Sequence, residues 1–154
     1  MTADPTPRSA GRYDPWHDLS VNWPEVEVVL EPMAGDLLGT LRYPVIALRS
    51  GTSAAQRRCT LAHELVHLER GVGDYGPWAA REEFLVHREV ARRLVTPDAL
   101  AAAVRALGGA EDIAALAQAL DVDAHTLRLR LELLTPEERA RIRTRAASEW
   151  WRVA

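Results

Sequence analysis

In the stretch CTLAHELVHLERG, residues 59–71, two histidines and a glutamate stand at a spacing that can do chemistry. On a helix, residues four apart point the same way, one turn above the other, so the imidazoles of His63 and His67 can hold one metal ion. Glu64 stands to the side, where its carboxylate can reach a water without being a ligand itself. His-Glu-x-x-His on a helix is thus two ligands plus a general base, the set used for metal-assisted amide hydrolysis. With 5 histidines in the chain, the pentapeptide would arise by chance in about one such sequence in a hundred. Its surroundings add weight. Leu61, Leu65 and Leu68, with Ala62 and Val66, make the helix apolar on more than one side. The polar residues therefore face the interior, where two imidazoles and a carboxylate are costly unless paired or bound to a cation.

A catalytic zinc has three protein ligands and one water, and the next helix offers Glu82, Glu83, His87 and Glu89. At 3.6 residues per turn, Glu83, His87, Val90, Ala91 and Leu94 share one stripe, whereas Glu82 and Glu89 fall among Arg81 and Arg93. Glu83 is the expected third ligand; its other reading is a first-turn glutamate favoured by the helix dipole. With Zn2+ on His63, His67 and Glu83, Glu64 would take the proton of the attacking water and pass it to the leaving amine. Tyr75, in the loop between the two ligand helices, is either a contact for the reacting group or a loop packing residue.

Those side chains need a scaffold. Residues 26–30, 36–41 and 45–48 read as strands of a small sheet, the last two joined by a turn at Arg42-Tyr43-Pro44. From Ser53 onward the pattern is helical. Ser53 and Gln56 form a capping box and Gly71 a stop, which predicts a helix over 54–70. Further helices are expected at about 78–95, from Thr96-Pro97-Asp98 to Gly108-Gly109, at 111–120, at 124–134, and after the capping box Thr135-Pro136-Glu137-Glu138. Residues 1–18 are rich in Pro, Asp and Arg without a period and read as a flexible arm, with Tyr13, Trp16 and His17 available to dock back.

The length of 154 residues suits one domain with its own core. Hydrophobic content of 47% and a net charge of -3 describe a globular chain that demands neither a basic nor an acidic partner. All 19 basic residues are arginine, scattered rather than clustered, which argues against a nucleic-acid footprint. The lone Cys59 permits no internal disulfide and reads as a core residue. Neither an apolar leader nor a run long enough to span a bilayer is present, so a cytoplasmic location is expected.

The segments RRCTLAHELVHLERG (57–71) and REEFLVHREVARRLVTP (81–97), after a short sheet and before a helical tail, resemble the ImmA/IrrE metallo-endopeptidases over about residues 13–141. The resemblance implies a gluzincin-like α+β zincin fold, zinc on two histidines and a glutamate, and cleavage of a DNA-binding repressor. In zincins the strand before the motif helix aligns an extended substrate along its edge, which points to residues 45–49. The chain then divides into an N-terminal arm (1–22), a metallopeptidase core (23–108) and a helical region packed on it (109–154). One departure stands out: four residues after the ligand glutamate such families commonly carry Asp, and here that residue is His87. Its imidazole could steady a ligand or contact the reacting group, could bind as a fourth ligand that closes the site, or could be a plain core residue.

A different class is suggested by IAALAQALDVDAHTLRLRLELL, residues 113–134, which has the cadence of a helix-turn-helix. DNA binding through it is disfavoured because Asp121, Asp123 and Glu132 flank a recognition helix whose cations are only Arg128 and Arg130. Packing or partner docking is the expected role. A zinc-binding protein without proteolysis is the remaining alternative. Trp150 and Trp151 would cover the core or mark a protein contact.

Overall fold

The structure, a computed structural model, describes residues 12–71, 76–109 and 112–147. In chain order these form α1 (Pro15–Asn22), β1 (Glu27–Glu31), β2 (Gly39–Arg42), β3 (Val45–Arg49), α2 (Ala54–Arg70), a 3-10 turn (Gly76–Trp78), α3 (Ala79–Leu94), α4 (Pro97–Leu107), α5 (Ile113–Leu120), α6 (Ala124–Glu132) and α7 (Pro136–Ala147). The architecture is the α+β, zincin-like one expected, a small mixed sheet ahead of a helical body.

Helix α2 has the bounds its end signals predict. Ser53 Oγ accepts from the Gln56 N–H at 3.1 Å while Gln56 Oε1 accepts from the Ser53 N–H at 3.0 Å, and Gly71 ends the helix at φ +87°, a conformation that costs glycine little. Two apolar stripes then fix its place. Leu61, Leu65 and Leu68 pack with Val26, Ile46 and Leu48 on the sheet side. Cys59, Ala62 and Val66 pack with Val86, Val90 and Leu94 of α3 and, beyond them, with Leu100, Leu116 and Leu127. Each fully buried leucine contributes about 1.5–3 kcal/mol, so α2 is held from both sides. The stripe left over carries Thr60, His63 and His67.

The sheet order is β1-β3-β2, with β1 parallel and β2 antiparallel to β3. This overturns the expectation that residues 45–49 form the cleft-edge strand: both edges of β3 are consumed by ladders, and Ile46, Ala47 and Leu48 are fully buried. The strand at the cleft is β2. The expected arm also needs correction, because Pro15–Asn22 is helical. Asp14 caps it, accepting from the Trp16 N–H at 3.0 Å, and Pro15 supplies the first turn, where its missing N–H costs nothing. Tyr13 does dock, packing on the helical core with its hydroxyl 2.5 Å from Asp18 Oδ2, whereas Trp16 and His17 are exposed.

In the C-terminal region α5 and α6 are joined through Asp121, in the left-handed conformation at φ +54°, and the buried Val122. Arg130 is turned inward: its Nε donates to the Val95 carbonyl at 2.9 Å and its two Nη groups pair with Glu138 at 3.0 and 2.6 Å. One apolar cluster runs from Cys59 on α2 to Ile142 on α7. No helix among the described residues is long and apolar enough to cross a membrane. Tyr75, Trp150 and Trp151 lie outside the described residues.

Candidate metal centre

His63 and His67, one turn apart on α2, meet Glu83, which α3 presents from its first turns. The His63 Nε2 to His67 Nε2 distance is 3.1 Å, His67 Nε2 to Glu83 Oε1 is 3.1 Å and His63 Nε2 to Glu83 Oε2 is 3.4 Å. A tetrahedral zinc with bonds of about 2.0–2.1 Å separates its ligand atoms by about 3.3 Å. The three donors thus converge at ligand-to-ligand spacing, and acceptors that close need a cation or shared protons among them. The donor set fits the expected metal.

The electrostatics suit ligation. Burial, with His87 and His67 beside it, pushes the His63 imidazole down to about 3, so it is neutral at ordinary pH, the form that binds a metal. Its Nδ1 is buried without a hydrogen-bond partner among the described residues. The acidic residues that the helical projection set aside are engaged elsewhere. Glu82 is clasped by Arg70, one carboxylate oxygen 2.9 Å from Nη2 and the other on Nε, and Glu89 pairs with Arg93 Nε at 2.8 Å.

Glu64 lies beside this triangle, buried against β2. Gly39 makes the close approach possible: a Cβ built there would sit 2.4 Å from Thr60 Cγ2 and 3.0 Å from Glu64 Oε1. Burial, then the Glu83 carboxylate, pushes the Glu64 carboxyl up to about 7. A carboxyl tuned to neutrality can accept and return a proton with little bias in either direction.

His87 stands one step back. Its Nε2 is 4.0 Å from Glu83 Oε2, its ring centroid is 4.6 Å from that of His63, and burial holds its imidazole below the usual histidine range, with His125 adding to the effect. The donor atoms of His63, Glu83 and His87 all lie within 4.8 Å of one another, looser than the triangle through His67. Of the two groupings, that of His63, His67 and Glu83 is the tighter.

His63 and Glu83 open on a cleft of about 500 Å³ whose walls include Asp36 to Gly39 at the start of β2, Glu64 on α2, His87 on α3, and Asp123 to Thr126 at the start of α6. The last wall was not anticipated. It brings in His125, whose ring lies 5.4 Å from that of His87 in an edge-to-face arrangement. No local pattern in the sequence marks this residue, because its place depends on how α6 packs over α2 and α3.

No curated protein and no solved structure matches the chain. The family model Peptidase_M78, the IrrE N-terminal-like domain, matches residues 25–132, a span that begins just before β1, ends with α6, and holds every residue of the site. The chain belongs to this IrrE N-terminal-like family of metallopeptidases.

Proposed function

We propose that the chain is a zinc-dependent endopeptidase that hydrolyses a peptide bond in a protein substrate. The observation that carries this reading is the triangle of His63, His67 and Glu83 with Glu64 beside it. A divalent cation held by those three groups supplies Lewis-acid polarisation and the acidification of water. Glu64 takes a proton from the attacking water as the new carbon–oxygen bond forms. The same carboxyl then delivers that proton to the amide nitrogen as the carbon–nitrogen bond breaks, which regenerates the carboxylate. The free edge of β2, at the mouth of the cleft, can pair with an extended peptide and hold it against the site. The resemblance to ImmA/IrrE endopeptidases points to a DNA-binding repressor as substrate.

One observation favours a second reading. The looser group of His63, Glu83 and His87 would, with His67, make four protein ligands and a closed, non-catalytic site. For DNA binding the support is thinner, since Arg130 is sequestered by Glu138 and leaves Arg128 as the exposed cation of α6.

The test is cleavage of a degenerate peptide mixture by the zinc-loaded full chain, read by mass spectrometry, beside Glu64→Gln with the same zinc content. Cleavage by the wild type alone supports the reading. Cleavage by both would remove Glu64 as the base, and cleavage by neither would favour the closed site.

A further inference from the structure

The turn that carries His125 is fastened to the helix that carries His63. Arg58 of α2 donates from Nη1 to the Asp121 carbonyl at 2.8 Å, and the Asp123 N–H points to Cys59 Sγ at 3.4 Å. Asp123 in turn caps α6, accepting from the Thr126 N–H at 2.7 Å. His125 is therefore held in register with the metal centre by backbone and buried side chains, although the ring itself is exposed to the cleft.

The cleft is poor in free side-chain donors. Among its described lining residues, Gln56 gives its Oε1 to the capping box and keeps its amide N–H groups at the α2 wall, Thr60 donates to the Gln56 carbonyl at 2.8 Å, and Thr126 is buried beside Cys59. Asp36, Glu64, Glu83 and Asp123 are carboxyl groups, and Glu64 faces β2. The N–H groups left to meet a peptide from the α3–α6 side are those of His87 and His125, and neither imidazole makes a hydrogen bond shorter than 3.5 Å among the described residues. The centroids of His63, His87 and His125 are spaced at 4.6 and 5.4 Å. An extended peptide advances about 3.3 Å per residue, so this row of rings reaches two to three residues along a bound chain.

Resting on the peptidase reading, we propose that His125 is a substrate-contacting residue: its N–H donates to a main-chain carbonyl of the peptide, one or two residues from the scissile bond. The peptide is then gripped on one side by the edge of β2 and on the other by the first turn of α6. The helix-turn-helix-like pair thereby serves as a wall of the cleft.

Binding to the zinc-loaded full chain, measured by calorimetry, tests this without requiring turnover. The probes are acetohydroxamate, which reaches only the metal, and two tripeptide hydroxamates that extend from it in opposite directions. His125→Ala should leave zinc content, melting temperature and acetohydroxamate affinity unchanged, and should weaken at least one tripeptide probe by about 5- to 50-fold, the effect of leaving one acceptor unpaired. His125→Gln, which keeps an N–H donor, should recover part of that loss. Equal affinity of wild type and His125→Ala for all three probes would overturn the contact while leaving the peptidase reading intact. Weaker acetohydroxamate binding by His125→Ala would place the residue at the metal centre and overturn it as well. Failure of the wild type to bind any hydroxamate would instead remove the metal site, and the inference with it.

Discussion

Replacing Gly39 by alanine adds one methyl group at the point where β2 touches the helix that carries His63 and Glu64. Gly39 has no positive φ, so the backbone alone would tolerate alanine. In the absence of any contact the change should stabilise by about 0.4–1 kcal/mol through a stiffer unfolded chain. The contacts reverse that sign. The new Cβ would meet Thr60 Cγ2 at 2.4 Å, Glu64 Oε1 at 3.0 Å and the Ala47 carbonyl at 3.3 Å, where carbon atoms settle at about 3.5–4.0 Å. β2 cannot retreat without breaking its ladder to β3, and Thr60, branched at Cβ, has few rotamers on a helix. Overpacking of this kind costs about 1–3 kcal/mol, which leaves a net loss of about 1–2 kcal/mol, or about 2–8 °C in melting temperature for a chain of this size. Thr60→Ser removes the offending methyl and keeps the hydroxyl that donates to the Gln56 carbonyl. The pair Gly39→Ala, Thr60→Ser should therefore regain most of the stability. Hydrolysis should stay impaired, because the contact with Glu64 remains. Urea denaturation of the four proteins of the cycle reads the coupling directly. A Gly39→Ala protein as stable as the wild type, or no recovery on adding Thr60→Ser, would mean that β2 and α2 do not meet at this contact.

His67→Ala should lose most bound zinc by elemental analysis, whereas Glu82→Gln should keep it; equal zinc in both would dismantle the ligand set. Glu64→Gln should raise the stability of the metal-free chain at pH 8 by an amount on the order of 1–3 kcal/mol, because a buried carboxyl pushed up to about 7 is ionised there at a cost in folding. Unchanged or lower stability in urea would contradict that. Burial, then Asp123, pushes the Cys59 thiol up from 9.0 to about 12, so the folded chain holds this proton more tightly than the unfolded one. Its contribution is intact below pH 9 and is lost as the pH rises toward 12, by about 1.4 kcal/mol per unit; Cys59→Ala should lack that part of the slope in alkaline denaturation. Glu138→Ala leaves the Arg130 guanidinium buried without its carboxylate and should destabilise by about 1–3 kcal/mol; a neutral result in urea would mean that water reaches Arg130.

The cluster of His63, His67 and Glu83 is legible in the sequence because its geometry is local. A capping box and a terminal glycine bound α2, and helical projection alone separates Glu83 from Glu82 and Glu89, which Arg70 and Arg93 then occupy. The cue for β3 as the central rather than the cleft-edge strand is in the sequence: Val45-Ile46-Ala47-Leu48 is apolar at successive positions, as a strand covered on both faces must be, whereas an edge strand has polar positions to spare. Asp14-Pro15 was likewise a cap followed by a first-turn proline, but α1 spans 8 residues, too few for a period to declare itself. His125 had no such signal. It reaches the cleft because Arg58 and Cys59 hold the α5–α6 turn against α2 across more than 60 positions of chain, a tertiary fact that no window of sequence contains.

The proposed site is an open one, with His63, His67 and Glu83 as metal ligands and Glu64 as base. X-ray absorption on the zinc-loaded full chain reads this coordination. One zinc per chain is expected, with two imidazole nitrogens, carboxylate oxygen and a solvent oxygen, unchanged in His87→Ala. Three imidazoles around the metal, one of them lost in His87→Ala, would contradict it.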